Sequence, residues 1–375
     1  MTLNVDALIR DPMTRIIVCC GSGGVGKTTT AAALALRAAE QGRSVVVLTI
    51  DPARRLAQSM GLTELDNTPR PVQGISAGEG GGQLDAMMLD MKRTFDDIVM
   101  AHADPAKAEQ VLANPFYQSL SSSFSGTQEY MAMEKLGQLR ARADAEGTWD
   151  LIVVDTPPSR SALDFLDAPQ RLGSFLDGRF IRLLMAPARA GGRVFSRAVD
   201  VGFSAVNGVL NRVLGAQMLR DVQTLVGALD TMFGGFRERA DQTYKLLQAP
   251  GTAFIVVAVP EPDALREASY FVDRLSNERM PLAGLVLNRV HHSDATQLRL
   301  ERAVSSADQI ENEHPLTAGM LRVHADLMRV IDRESRLVGR FTSAHPRVRI
   351  ARAPALATDV HDLDGLRTVG EALAS

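Results

Sequence analysis

One eight-residue stretch limits what this chain can become more than any other feature. Gly21-Ser22-Gly23-Gly24-Val25-Gly26-Lys27-Thr28 fits the pattern G-x-x-x-x-G-K-[ST]. Glycines at this density let backbone N–H groups turn inward around phosphate oxygens. A helix opening here aims the positive end of its dipole at them. In such a loop Lys27 reaches the β- and γ-phosphates of a nucleoside triphosphate, and the Thr28 hydroxyl ligates Mg2+. The nucleotide-binding set read from the pattern is Gly21, Ser22, Gly23, Gly24, Val25, Gly26, Lys27, Thr28 and Thr29. The same glycines also fit the G-x-G-x-x-G of dinucleotide folds, with Asp51 standing where a ribose-binding acid belongs. Three features favour the triphosphate: Lys27-Thr28 directly after the last glycine, a second strand-ending acid at Asp155, and a polar helix opening, Thr28-Thr29-Thr30. A glycine turn without any ligand is the plain alternative.

The flanks of the loop alternate between strand and helix signals. Residues 15–20 are apolar and β-branched and read as a buried strand. Residues 28–41 are rich in alanine and leucine, with Gly42 placed to end a helix. Residues 44–50, 84–90, 151–154, 252–259 and 282–287 read as further strands, and 347–350 as a weak last one. Their near-continuous apolar character suits a parallel sheet covered on both faces, joined by right-handed crossovers. Residues 92–118 and 163–249 show helical spacing without strand signals. The expected fold is α/β: a P-loop NTPase with a mostly parallel sheet sandwiched by helices, plus an inserted α-helical subdomain. The expected boundaries are residues 1–92, 119–165 and 250–375 for the nucleotide-binding core, and 93–118 and 166–249 for the helical subdomain.

Two acids, Asp51 and Asp155, end apolar strands. Open parallel sheets bind ligands beyond the carboxyl ends of their strands, so both are expected near the phosphates. One such acid can hold Mg2+ through water while the other orients the attacking water. Taken singly, each is equally readable as a loop or helix-capping Asp.

Together these motifs resemble one family, the dimeric ATPases of arsenite efflux (ArsA) and tail-anchored-protein targeting (GET pathway). The loop is similar to that family's deviant Walker A. Asp51-Pro52-Ala53 resembles its first switch, normally Asp-Pro-Ala-His. Asp155-Thr156-Pro157-Pro158-Ser159 resembles its second, normally Asp-Thr-Ala-Pro-Thr-Gly-His. Ser125-Gly126-Thr127-Gln128-Glu129 looks like the family's Pro-Gly-x-x-Glu element, Asn288 like its adenine-reading Asn, and Glu267 stands where it has a Glu-Thr pair. The resemblance implies ATP and Mg2+ as cofactors. It implies a dimer with facing nucleotide sites, and a helical subdomain that opens and closes with nucleotide state. Its client would be a hydrophobic or membrane protein that it chaperones or targets. It makes Asp51 and Lys27 the catalytic pair, Asp51 positioning the hydrolytic water. Thr28, Asp51 and Asp155 become the metal set, with the acids acting through water.

The sequence departs from that pattern in the second switch, where Arg160-Ser161 stand in place of the Gly-His pair, and at one further informative place. The family's signature lysine precedes the paired glycines, and here that position is Ser22. In relatives this lysine reaches across the dimer, a role like an arginine finger and worth ~10³-fold or more in rate. Arg54, Arg55 and Arg160 lie in the switch segments as candidate substitutes, and each is also readable as a solvent-facing arginine. The alternative is a heterodimer with a lysine-bearing paralogue, in which this chain is a weakly hydrolysing or regulatory subunit. A partition-type (ParA/MinD-like) ATPase is a further alternative. It calls for a basic DNA-binding face or a basic amphipathic C-terminal helix, whereas residues 359–375 are acidic and carry Leu363, Leu366, Val369 and Leu373 at core spacing.

Composition narrows the cargo. The net charge is −3, so nucleic acid is not expected as a partner. The only cysteines are Cys19 and Cys20, adjacent on an expected strand. Strand neighbours point to opposite faces, so they do not converge as the thiolates a soft metalloid needs. No apolar run reaches the ~18 residues of a membrane span, and residues 1–11 lack the apolar stretch of a secretory signal. The expected location is the cytoplasm, with peripheral membrane attachment through a partner.

Overall fold

The computed structural model describes residues 1–51, 55–75, 81–102, 104–114, 117–118, 128–157, 238–295 and 297–374. Its elements are α1 (Val5–Arg10), β1 (Ile16–Cys20), α2 (Lys27–Glu40), β2 (Ser44–Thr49), α3 (Arg55–Ser59), β3 (Arg70–Pro71) and β4 (Gln83–Met88). There follow α4 (Met91–His102), α5 (Pro105–Leu112), α6 (Gln128–Glu146), β5 (Leu151–Asp155), β6 (Thr252–Ala258) and α7 (Pro262–Asn277). The last are β7 (Leu282–Val290), α8 (Leu300–Ile310), α9 (Pro315–Ala344), β8 (Ile350–Pro354) and α10 (Leu363–Ala374). The described residues group into two compact units. Those within 1–88, 139–157 and 246–374 form one, and those within 89–138 and 238–245 the other.

The first unit holds an eight-stranded sheet in the order β3-β4-β2-β5-β1-β6-β7-β8. Every pairing is parallel except β3 with β4. The central strands β1, β5 and β6 are buried along their whole length, as a parallel sheet covered on both faces requires. This is the α/β P-loop NTPase fold expected from the sequence. From β1 the chain runs outward to β2 on one side and later to β6, β7 and β8 on the other. The carboxyl end of β1 is thus the topological switch point where open α/β sheets take ligands.

Helix α2 carries the loop into the core. Its alanines, with Leu34 and Leu36, are buried, and it packs against both the sheet and α10. Small side chains make that close fit; a Cβ on Gly370 of α10 would lie 3.5 Å from the Ala33 carbonyl. Beneath α2, Arg37 Nε and Nη2 donate to the two oxygens of Asp6 on α1, at 2.6 and 2.9 Å. Arg43, just before β2, is a buried guanidinium. It donates to Asp150 Oδ1 at 2.6 Å and to the carbonyls of Ile9, Thr14 and Asp150 at 2.7–2.9 Å. A charge so buried is tolerable because its donors are used, and it ties the amino ends of the central strands together.

Three expectations shift. The last strand is Ile350–Pro354, not 347–350, because residues 345–348 turn after α9, with Val348 N–H donating to the His345 carbonyl at 3.1 Å. Strand β7 runs past Leu287 to Val290 through a register shift. The two-residue antiparallel β3 was not expected, and two residues including Pro71 leave no periodicity to read. Helices α4 and α5 fall where residues 92–118 showed helical spacing. The longer helical stretch expected at 166–249 lies outside the described residues up to 237, and residues 238–248 are helical. Among the described residues no helix is long and apolar enough to cross a membrane.

Candidate nucleotide site

The glycine loop joins β1 to α2, and its glycines are needed for different reasons. Gly21 has φ +151, and a Cβ there would lie 2.2 Å from the Val257 carbonyl oxygen of β6. Gly26 has φ +92, and a Cβ would lie 2.2 Å from Asn288 Nδ2. Gly24 has φ +76 but open space around it, so only its torsion asks for glycine. Gly26 is also the N-cap of α2, and no side chain caps that end. The first-turn N–H groups therefore remain available for an anion. Lys27 opens α2 with its side chain buried, and its ammonium donates to the Ser22 carbonyl at 2.8 Å. Burial pulls the Lys27 pKa below its ordinary value, and the charges of Asp155 and Asp51 oppose that pull.

The acids sit where the sheet register puts them. Asp155 ends β5, in register with Cys19 on β1 and with Thr49 on β2. It is wholly buried. Its Oδ2 accepts from the Thr28 hydroxyl at 2.7 Å and from the Thr49 hydroxyl at 2.9 Å. Its Oδ1 is buried with no hydrogen-bond partner among the described residues. Burial pushes the Asp155 carboxyl up to about 6, against the two hydroxyls and Lys27. An orphaned carboxylate oxygen beside a threonine hydroxyl is a hard-oxygen donor set that fits Mg2+. Asp51 follows β2, and its N–H donates to Thr49 Oγ1 at 3.2 Å. Its charge is felt at both Lys27 and Asp155. Thr156 fixes the exit from β5 by donating its N–H and hydroxyl to the Cys19 carbonyl, at 3.2 and 2.9 Å.

From the other side, the end of β7 brings Asn288 to the loop. Asn288 Nδ2 donates to the Val25 carbonyl at 2.9 Å, and Asn288 Oδ1 accepts from the Arg289 N–H at 2.9 Å. Arg289 adopts φ +57, a left-handed conformation uncommon outside glycine.

The structure thus brings together Lys27, Thr28, Asp51, Asp155 and Asn288 around residues 21–26, with Thr29 one position on in α2. Glu267 is half-buried on α7. Arg54 and Arg160 lie outside the described residues, as do Ser125 to Thr127 and the side chain of Arg55. Sequence reasoning missed Thr49, the second hydroxyl on Asp155. Its position two residues before Asp51, at the end of an apolar strand, was the available signal. It also missed Glu334, which accepts from the backbone N–H of His291; no local pattern points to it.

A parallel α/β sheet with this loop at its switch point defines a P-loop nucleotide-binding protein. The sequence profile described as anion-transporting ATPase (ArsA_ATPase) matches residues 14–313, and the chain belongs to that family; it is an ATPase. It is similar to a protein named ATPase GET3 from Podospora anserina, 26% identical over 320 residues, which is 83% of this chain and 85% of that one. A protein named ATPase get3 from Aspergillus terreus is 25% identical over 77% of each chain. A protein named arsenical pump-driving ATPase from Acidiphilium multivorum is 31% identical over 159 residues, 42% of this chain and 26% of that one.

Proposed function

We propose that this ATPase works as a cytoplasmic dimer that chaperones or targets a hydrophobic membrane-protein client, its nucleotide state opening and closing a helical part formed by residues 93–118 and 166–249. The observation that carries this reading is the extent of likeness. The relatives named GET3 align along most of both chains, whereas the arsenical pump-driving ATPase aligns over less than half of this one. Cys19 and Cys20 speak the same way. Both are buried in β1, and burial pushes the Cys20 thiol up to about 12. Neither supplies the thiolate that a soft metalloid demands.

In the proposed site, residues 21–29 cradle the phosphates, Lys27 offsets their charge and Asn288 reads adenine. Thr28 and Asp155 hold Mg2+, with Asp51 assisting, the acids acting through water. Mg2+, when bound, supplies charge neutralisation on the phosphates. Asp51 orients the attacking water. The test combines light scattering with capture. The chain is purified alone and its mass measured without nucleotide, with Mg2+-ADP and with Mg2+-ATP. Retention of a fluorescent single-span apolar helix is followed in parallel. The reading expects a dimer and nucleotide-dependent retention; a monomer in every state that never retains the helix would overturn it.

Ser22 favours a second reading, a regulatory subunit that relies on a paralogue's lysine. Ser22 carries no charge to lend a partner, and its carbonyl already holds Lys27. Under that reading Ser22→Lys alone raises turnover about tenfold or more. Unchanged turnover would remove it.

A further inference from the structure

Asn288 lies on a stretch of β7 that the sheet does not hold. On the β6 side the ladder ends at Ala258 with Leu287. On the β8 side it passes from Leu287 opposite Arg352 to Val290 opposite Pro354. Two β7 residues, Asn288 and Arg289, thus face one on β8, and neither has a ladder partner. A bulge of this kind re-aims a side chain but leaves its backbone to be fixed by other contacts. Here the left-handed Arg289 closes its N–H onto Asn288 Oδ1. That conformation persists only where the surroundings over-determine it.

Two anchors lie beyond the bulge. The Val290 carbonyl accepts from Ala355 N–H at 3.0 Å. The other anchor comes from far along the chain, in the 30-residue helix α9. Glu334 of that helix is buried, 7% exposed. Its Oε2 accepts from the His291 backbone N–H at 3.0 Å, and its Oε1 lies 2.6 Å from His291 Nδ1. A carboxylate only accepts, so this second bond places the ring proton on Nδ1. Burying a carboxylate on a helix that otherwise buries alanine and phenylalanine is costly unless its oxygens are used. Both are used on one residue, three positions after Asn288.

We propose that Glu334 is a positioning residue for nucleotide recognition. Its grip on His291 fixes the bulged end of β7, and so sets the Asn288 amide against Val25 and Gly26 of the phosphate loop. This rests on the reading of Asn288 as the adenine-recognising side chain. Glu334 acts through His291, which both of its oxygens hold. His291→Ala keeps the backbone N–H bond and is the mild perturbation. Glu334→Ala removes both bonds. Glu334→Gln restores them, because its carbonyl oxygen accepts the N–H and its amide nitrogen donates to Nδ1 of the other ring tautomer.

The experiment measures ADP and GDP affinities, with Mg2+, by titration calorimetry on the full chain, and melting temperature alongside. In Asn288→Ala the preference for ADP over GDP falls about tenfold. In Glu334→Ala it falls about fivefold, the scale of one uncharged hydrogen bond, and Glu334→Gln recovers most of it. A Glu334→Ala protein that melts lower but keeps its ADP preference would overturn the inference, because a merely structural bond changes stability without changing base selection. An unchanged preference in Asn288→Ala would overturn the adenine reading and the inference with it. If Glu334→Ala does not fold, His291→Ala decides: it loses the side-chain half of the grip, so a preference about twofold lower is expected, and a preference equal to that of the unmodified chain counts against the inference.

Discussion

On one side of the site the main chain does the gripping. Gly21, Gly24 and Gly26 hold positive φ, α2 opens without a side-chain cap, and the supporting carboxylate of Asp155 is locked by sheet register between Cys19 and Thr49. On the β7 side one amide does the work, Asn288, carried on a bulge whose own ladder has lapsed. The first construction is rigid because every part is set by the central strands. The second is adjustable, because its geometry depends on contacts made elsewhere. Phosphate recognition is the same for every nucleotide and suits the rigid side. Base recognition discriminates, and under the role proposed for Asn288 it falls to the side where single contacts can be tuned.

That contrast is broken most severely at Asp51. Asp51→Asn keeps shape and removes charge, so kcat is expected to fall about 100-fold. Nucleotide affinity measured by calorimetry stays within about twofold, because the loop does the holding. A parallel loss of affinity would make Asp51 part of the phosphate grip. Next comes a paired glycine test. Gly26→Ala forces both a strained φ and a collision with Asn288 Nδ2. It disturbs both sides at once and is expected to cost about 2 kcal/mol or more. Gly24→Ala meets nothing within 4 Å and costs about 1 kcal/mol, from torsion alone. Chemical denaturation of the two variants compares them; equal costs would mean the Asn288 contact adds nothing.

The smallest effect lies under α2. Arg37 holds the Asp6 carboxyl below its ordinary value of 3.8. A lowered folded-state pKa gives stability that is present above the unfolded value and lost as pH falls through the folded one. Asp6→Asn is therefore expected to be less stable at neutral pH, by about 0.5–1 kcal/mol in this partly exposed pair, as read by chemical denaturation. The gap should close below about pH 4. A gap that persists in acid would assign the effect to packing instead of charge.

The two sides also differ in how plainly the sequence shows them. The phosphate side is local: residues 21–28 carry the loop pattern, and Asp51 and Asp155 announce themselves by ending apolar strands. The sheet is legible for the same reason, since buried parallel strands leave apolar runs such as residues 16–20, 151–155 and 252–258. The β7 side is not local. Asn288 was marked only by its resemblance to the family's adenine-reading Asn, and its support comes from Glu334, 46 positions further on, in a helix whose pattern does not mark one acid from the others. Contacts that close across the tertiary fold leave no period in the sequence. Thr49 is an intermediate case: its place two residues before Asp51 is local, but its bond to Asp155 follows only once β2 and β5 are neighbours.

Residues 21–28 with Asp51 and Asp155 are proposed to form a working ATPase site in this chain. Steady-state ATP hydrolysis by the purified protein, with Lys27→Ala as the blank, tests it directly. A working site gives Mg2+-dependent turnover at least ~100-fold above the variant. Turnover equal to that of Lys27→Ala, with ATP still bound by the unmodified chain, would contradict it.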